Sequence, residues 1–227
     1  MKLYLLRVCQ SKKLYPCIAH VFAIEHYKPL ELGEDDFSKK LMYFYKYGND
    51  FDFFLRNIID LYNLRFKEDS IRFDYITLYP TREKGKVNPI MEKLVKEVSK
   101  QINIPYKQLI RRNRNINPNH ELKKFEERAK NVEGSMDILE DVEGKNIIIF
   151  DNTSTTGISL IDVTNLLIEK GANNVVCICL GLSYKYRESD WDDLNKTLKY
   201  SRIKDMCKSP FISQEKREKW KKEQQGC

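Results

Sequence analysis

Two apolar runs separated by one amphipathic segment organise the C-terminal half of the chain. The first run, Asn146–Phe150, is followed by the polar stretch DNTSTTG and then by apolar residues at helical spacing that end near Gly171. The second run is Val175–Leu180. Continuous β-branched runs are typical of strands that are covered on both faces. The order therefore predicts a strand-helix-strand unit in an α/β fold, with an open, mostly parallel sheet flanked by helices.

The upstream sequence predicts further elements of the same kind. It predicts strands at Asp74–Tyr79 and Tyr106–Ile110, amphipathic helices at Pro89–Gln101 and Leu122–Asn131, and a mobile polar loop at Arg111–Asn119. In the first 70 residues, it predicts aromatic-rich helices at Phe37–Tyr47 and Phe54–Phe66, after a short strand or hairpin in the opening 25 residues. We expect one structural domain, divided into a helical, aromatic-rich N-terminal hood or accessory region (1–70), a core (71–190) and a charged C-terminal segment (191–227).

Composition limits the classes of protein that need to be considered. Hydrophobic residues make up 41% of the chain and charged residues 32%, a balance that favours a folded globular protein. The net charge of +7 is compatible with a polyanionic ligand or with nucleic acid and requires neither. No apolar run is long enough to cross a membrane, and the N-terminal apolar stretch is too short for a signal peptide. We therefore expect a soluble, cytoplasmic protein without a membrane partner.

The cysteines carry no sign of a metal site or of disulfides. They form no CxxC pair, and two of them lie in the second apolar run. We interpret them as reduced thiols, and we predict no structural zinc, for Cys9, Cys17, Cys177, Cys179, Cys207 and Cys227.

The segment with the most chemical content is the polar stretch after the first apolar run. A strand runs into Asp151 and is followed by hydroxyl residues, Gly157 and the start of a helix. Such a turn would bring several backbone N–H groups and the positive end of a helix dipole to one point, which suits a phosphate. Ligands of open parallel sheets bind beyond the carboxyl ends of the strands. An alternative left open here is that the Ser and Thr residues only cap the helix. A Walker A loop and a dinucleotide fingerprint do not fit, because the stretch has one glycine and no lysine.

Several segments in order give the chain a family resemblance. FDNTSTTGIS resembles the signature loop of type I phosphoribosyltransferases. More closely, residues 41–182 are similar to the ComF-like phosphoribosyltransferases, through LMYFYKYGN, ITLYPTREKGKVNPIMEKL and LIRRNRNINPNHELKKFEERAKNVEGSM. The resemblance implies a protein that binds phosphoribosyl pyrophosphate (PRPP) and transfers its phosphoribosyl group to a nitrogenous acceptor, with release of pyrophosphate.

The resemblance also assigns roles to individual residues. It places the catalytic pair Asp151 and Asn152 at the ribose hydroxyls, and Thr81 and Arg82 at the pyrophosphate. The 5-phosphate would be bound by Thr153, Ser154, Thr155, Thr156, Gly157, Ile158 and Ser159, and a hood loop over the substrate would carry Arg111, Arg112 and Arg114. Mg²⁺ would be bound mainly through the substrate diphosphate, and no protein side chain is assigned as a metal ligand.

Two departures from the family pattern leave alternatives open. The second of the usual adjacent acids is Asn152, and the N-terminal zinc-ribbon cysteines that ComF proteins often carry are absent. An amide can hydrogen-bond a ribose hydroxyl but brings no negative charge. A non-catalytic sensor or regulator that binds PRPP is therefore the alternative to an enzyme. The acceptor cannot be read from the sequence, a homodimer is left open, and nucleic acid is a partner for which the sequence offers no direct support.

Overall fold

The structure is a computed structural model that describes residues 5–10, 18–28, 33, 35–67, 72–118, 121–122 and 124–184. The predicted charged segment 191–227 and the loop end at 119 lie outside the described residues.

A five-stranded sheet forms the centre of the molecule. Its strands are β1 (Leu5–Gln10), β2 (Ile18–Tyr27), β3 (Tyr75–Leu78), β6 (Asn146–Ser154) and β7 (Asn174–Ser183), in the spatial order β1-β2-β7-β6-β3. The four strands from β2 to β3 are parallel, and β1 pairs antiparallel with β2 at the edge. The predicted α/β class is thus confirmed, and the two opening strands join the same sheet as the strands of the predicted core.

Helices cover both faces of this sheet. Helices α1 (Asp36–Tyr47), α2 (Phe51–Arg65) and α3 (Pro89–Ile102) pack on one face, and α5 (Ile158–Glu169) packs on the other. Along β6, Ile148 and Phe150 face the first group of helices, whereas Ile147 and Ile149 face α5. Both faces of the strand need apolar side chains, and the run NIIIF is continuous for this reason.

The N-terminal aromatic residues fill the larger core. The rings of Phe44 and Phe54 lie 4.4 Å apart between α1 and α2, and both side chains are fully buried. Both predicted helices are present, and α1 begins after Asp35, whose carboxylate accepts a hydrogen bond from the Ser38 amide. These helices bring Tyr45 to the carboxyl end of the sheet, where it lines a cavity described below.

A small second sheet lies beside the main one. It consists of β4 (Ile110–Arg112) and β5 (Met136–Ile138), which are antiparallel, and α4 (Phe125–Val132) lies between them in the chain. The predicted strand at 106–110 is wrong, because Tyr106 makes only an isolated bridge to Ile76. The Leu109 amide donates to the Lys107 carbonyl of its own segment and to the Thr77 hydroxyl, and not to a backbone carbonyl of β3, so the ladder does not continue.

The end of β6 also differs from the prediction. The sequence predicts a turn from Asp151, but the strand continues to Ser154 because β7 runs alongside it, with Asp151 opposite Cys179 and Thr153 opposite Gly181. Cys177 and Cys179 are buried in β7, as the sequence predicts.

Candidate functional site

The carboxyl end of β6 is open on one side. Pairing with β3 ends at Phe150, whose carbonyl accepts from the Tyr79 amide, so from Asp151 onward β7 is the only described strand that pairs with β6. Two cavities lie at this end of the sheet, and the partly exposed side chain of Asp151 lines both. The strand that carries the predicted site therefore places its polar residues between two openings.

Asp151 and Asn152 each fold back on the next backbone amide. The Asp151 carboxylate accepts from the Asn152 amide at 2.8 Å, and the Asn152 side-chain oxygen accepts from the Thr153 amide at 2.8 Å. These contacts fix both side chains at the mouth of the cavities and leave further lone pairs on the oxygens for a ligand. The amides of Asn152 and Thr153 are already bonded and are poor candidates for a phosphate.

The smaller cavity, about 330 Å³, is formed by the hydroxyl-rich turn. All seven predicted phosphate-binding residues, Thr153 to Ser159, line it. Gly157 occupies the N-cap of α5 with φ of 77°, and no side chain caps the helix there. The capping alternative is therefore wrong for this turn. The amides of Ile158 and Ser159 precede the first hydrogen bonds of the helix, which Leu160 and Ile161 donate to the Gly157 carbonyl, and they lie at the end of α5 that borders the cavity.

Two residues far away in sequence complete this smaller cavity. The Tyr27 hydroxyl, at the end of β2, lies 3.2 Å from the Thr155 hydroxyl, and Arg128 on α4 also lines the cavity. The sequence offers no local signal for Tyr27, because its place depends on how β2 pairs with β7. Arg128 lies within one of the segments that carry the family resemblance, but nothing in its spacing indicates a ligand contact.

The larger cavity, about 630 Å³, is formed by the loop after β3 and by residues 116–118. The two predicted pyrophosphate residues, Thr81 and Arg82, line it together with Lys86. The loop is closed on itself, since the Thr81 amide and hydroxyl both donate to the Lys86 carbonyl, at 2.9 and 3.1 Å. Lys86 is exposed and paired with Glu83 at 2.6 Å, which leaves Arg82 as the exposed cation of the lining without a described ion pair.

Arg112 has an unusual position, since it is 1% exposed and yet lines the larger cavity. Its guanidinium donates to the Thr81 carbonyl at 3.2 Å, to the Tyr79 hydroxyl at 2.8 Å and to the Ser135 hydroxyl. Among the described residues, no carboxylate forms an ion pair with it. A buried charge with neutral partners holds the β3 loop in place and gives this part of the cavity a positive potential.

The other two predicted hood arginines line neither cavity. Arg111 is exposed and pairs with Asp137 at 3.2 Å. Arg114 donates to the carbonyls of Asn131 and Glu133 at the end of α4. The predicted loop from Arg111 is also wrong at its start, because Arg111 and Arg112 belong to β4, whose register with β5 turns their side chains to opposite faces.

The remaining loop, 113–118, is held by hydrogen bonds. The Asn131 side chain accepts from the Asn117 amide at 3.0 Å and donates to the Asn117 carbonyl at 2.9 Å. The Ile116 amide donates to the Arg82 carbonyl at 3.0 Å, which joins this loop to the β3 loop. The two loops that line the larger cavity are therefore coupled to each other and to α4.

Burial dominates the electrostatics of the site. It raises the pKa of Asp151 to about 7, against the opposing effects of the Asn152 amide and the Arg112 charge. Burial also raises the pKa of Tyr79, whose hydroxyl accepts from Arg112, and that of Tyr45, which the charge of Asp151 raises further. Near neutral pH, Asp151 is therefore poised between its neutral and charged forms, and a cationic or metal-bound ligand would favour the charged form.

The donor set at the cavities is suited to a metal that arrives with its substrate. Asp151 and the Asn152 side-chain oxygen are hard oxygen donors, and the other acid of the lining, Glu83, is paired with Lys86. Mg²⁺ keeps most of its ligands as water and substrate phosphate and needs few protein carboxylates. No cluster of three or more His, Cys, Asp or Glu side chains that could hold a metal occurs within the described ranges.

Solved structures of two phosphoribosyltransferases and of one PRPP amidotransferase are similar to this chain. A hypoxanthine phosphoribosyltransferase from Staphylococcus aureus is 14% identical, with a TM-score of 0.38, over 57% of this chain and 63% of its own. A purine phosphoribosyltransferase from Pyrococcus horikoshii is 17% identical, with a TM-score of 0.36, over 58% of this chain and 73% of its own. A glutamine PRPP amidotransferase from B. subtilis is 20% identical, with a TM-score of 0.35, over 53% of this chain and 25% of its own.

The matched region thus spans about a quarter of the amidotransferase and less than two thirds of the hypoxanthine enzyme. No family model matches the chain, and no curated protein matches it. Within the described part of the chain, no helix has the length and apolar character that crossing a membrane requires.

Proposed function

We propose that this protein binds PRPP and transfers its phosphoribosyl group to a nitrogenous acceptor, with release of pyrophosphate. One observation carries the proposal: the Asp151 carboxyl group lines two cavities. One of them is lined by a hydroxyl-rich helix start and the other by cations. PRPP has a matching order of groups: a phosphate at one end, a ribose in the middle and a diphosphate at the other end. The resemblance of residues 41–182 to ComF-like phosphoribosyltransferases supports the same assignment.

Each part of PRPP has a place in this arrangement. The 5-phosphate occupies the smaller cavity, where it accepts from the first amides of α5 and from the hydroxyls of the turn. The ribose hydroxyls face Asp151 and Asn152, which offer acceptors and, on Asn152, two amide donors. The diphosphate occupies the larger cavity, beside Thr81, Arg82 and the buried charge of Arg112.

The reaction breaks the bond between C1 of the ribose and the diphosphate oxygen and forms a bond between C1 and the acceptor nitrogen, which loses a proton. Positive charge develops on the sugar as the diphosphate leaves, and the ionised form of Asp151 stabilises it electrostatically. Arg82 and Arg112 stabilise the negative charge of the leaving group. Mg²⁺ that enters with the substrate would be held by the diphosphate, near Asp151, and would supply further neutralisation of that charge.

One observation favours a second candidate, a sensor that binds PRPP without turnover. The residue after Asp151 is an amide, so the sugar faces one carboxyl group, and burial keeps a large fraction of that group neutral near pH 7. Both features reduce the negative charge beside the reacting carbon. A cytoplasmic location and a homodimer stay predictions for either candidate.

Two measurements test the proposal. Calorimetry with PRPP and Mg²⁺ measures binding, and pyrophosphate release with a panel of bases and amines measures turnover. We expect Asp151→Asn to lower turnover strongly, whereas Asp60→Asn, which removes an exposed carboxylate on α2, should leave binding and turnover unchanged. Binding without pyrophosphate release for every acceptor supports the sensor, and absence of PRPP binding overturns both candidates.

A further inference from the structure

Helix α4 brings a positive charge to the smaller cavity. Its residues Ala129 and Val132 are buried, and the helix packs against α5, so its position relative to the hydroxyl-rich turn is fixed. Arg128 lies beside them on the helix, is partly buried and lines the cavity together with the turn residues. The cavity therefore has walls from three separate parts of the chain: the end of β2, the turn between β6 and α5, and α4.

The Arg128 side chain is oriented but not neutralised. Its Nε donates to the Leu122 carbonyl at 2.8 Å, which fixes the plane of the guanidinium. No carboxylate of the described residues forms an ion pair with it. A fixed guanidinium with remaining N–H donors has the geometry that recognises two oxygens of a phosphate.

The other residues that line the smaller cavity also favour a phosphate. Among the lining residues, Arg128 is the cation and Asp151 is the acid, at the side shared with the larger cavity. Tyr27, whose hydroxyl lies 3.2 Å from that of Thr155, closes the wall formed by β2. The interior thus combines hydroxyl donors, helix amides and one guanidinium, a set that favours a dianionic phosphate over a neutral hydroxymethyl group.

We propose that Arg128 is a direct ligand of a phosphomonoester in this cavity and the residue by which the protein selects phosphorylated pentoses over unphosphorylated ones. This inference rests on the proposed function, since it names the group that the smaller cavity takes from the substrate. Neither the turn sequence nor the β3 loop contains this residue, and it binds the end of the substrate that is remote from the reacting carbon. Its loss should therefore weaken binding of the phosphate end and leave the diphosphate end unaffected.

The test uses the full chain and three probes: ribose 5-phosphate, pyrophosphate and PRPP, each measured by calorimetry. Arg128→Met keeps much of the length of the side chain and removes its charge, and Arg128→Lys keeps the charge without the fork of donors. Lys130→Met, an exposed position on the same helix, is the matched control for the loss of one positive charge. The melting temperature and the pyrophosphate affinity of each variant report whether the fold and the second cavity are intact.

We expect Arg128→Met to weaken ribose 5-phosphate and PRPP by about 10- to 100-fold, which corresponds to about 1.4 to 2.8 kcal/mol. Pyrophosphate should bind as it does to the wild type, Lys130→Met should behave as wild type, and Arg128→Lys should fall between wild type and Arg128→Met. Equal ribose 5-phosphate affinities in Arg128→Met and Lys130→Met overturn the inference. A parallel loss of pyrophosphate affinity also overturns it, because the effect is then not confined to the phosphate end.

The two proposals fail in different ways. If the wild type binds PRPP and Arg128→Met binds ribose 5-phosphate as tightly as the wild type, the role of Arg128 is wrong and the proposed function stands. If the wild type binds ribose 5-phosphate in an Arg128-dependent way and does not bind PRPP, the phosphomonoester site stands and the proposed function is wrong. If the wild type binds no probe, both are wrong.

Discussion

Asp151 gives the folded protein a measurable dependence on pH. Burial raises the pKa of its carboxyl group from 3.8 to about 7, so the folded chain keeps a proton that the unfolded chain has lost. The stabilisation that this proton provides is complete below about pH 4, declines as the pH rises from there towards 7, and is absent above pH 7. Asp151→Asn removes the titration, and the variant should therefore gain stability relative to the wild type as the pH rises.

The magnitude follows from the size of the shift. A shift of about three pKa units corresponds to about 4 kcal/mol, which is an upper bound because Asp151 is partly exposed to the cavities and solvent screens its charge. After this screening, we expect a relative gain in stability of about 1 to 2 kcal/mol between pH 5 and pH 8. For a chain of this length, that is a relative rise in melting temperature of about 2 to 8 °C.

The assay compares melting temperatures of wild type and Asp151→Asn at pH 5 and pH 8 without ligand, with Asp60→Asn as the control for loss of an exposed carboxylate. The difference between variant and wild type should be larger at pH 8. An equal difference at the two pH values, or a larger one at pH 5, would refute the reasoning. Carbon-13 NMR of the Asp151 carboxyl group would then locate its titration directly.

Three further changes test other parts of the site. Gly157→Ala should weaken PRPP binding by at least about tenfold, because the backbone φ of 77° at position 157 disfavours any side chain and the added methyl group would lie beside the ligand. Gly144→Ala is the control: its φ is 67°, its surroundings are open, it lies away from the cavities, and the added strain is similarly about 1 kcal/mol. Equal PRPP affinities of the two variants in calorimetry would contradict this prediction. Arg112→Met should lower the free energy of unfolding by about 3 kcal/mol, because several hydrogen bonds of a buried guanidinium are lost; urea unfolding measures it, and unchanged stability would count against its anchoring role. Asn152→Asp should raise pyrophosphate release, and loss of an existing activity would show that the amide has a specific role in binding substrate.

The strands of the core could be predicted because each has to satisfy both faces of the sheet. A continuous apolar run such as Val175–Leu180 is typical of a strand whose two faces are both covered. The glycine after the helical segment marks the end of that helix. Short strands that form few backbone bonds gave the errors. The segment before Ile110 has strand-like residues, but the Leu109 amide donates to the Lys107 carbonyl and the Thr77 hydroxyl and not to a β3 carbonyl. A one-dimensional pattern does not contain this choice of acceptors.

The lining of the two cavities was predictable where it is continuous in sequence and unpredictable where it is assembled from separate elements. The turn residues are adjacent, so their chemistry is visible in the pattern TSTTG. Arg111 and Arg112 are adjacent too, yet one is exposed and the other is buried, because successive side chains of β4 point to opposite faces. Tyr27 and Arg128 reach the smaller cavity through the pairing of β2 and the packing of α4, and neither contact has a local sequence signal.

Asp151 is partly buried and its neighbour at position 152 is an amide, and both facts bear on the choice between enzyme and sensor. A carboxylate at position 152 would lie next to a carboxyl group whose pKa is already about 7, and two adjacent acids in a buried site share a proton and do not both ionise. The charge that Asn152→Asp adds would therefore appear fully only above neutral pH or once a cation is bound. At an effective dielectric of about 20, a carboxylate 4 Å from a developing cation interacts by about 4 kcal/mol before desolvation and salt. An enzyme should thus gain more turnover from this change at pH 8.5 than at pH 6.5, whereas a sensor should show no turnover at either pH and only a modest change in PRPP affinity.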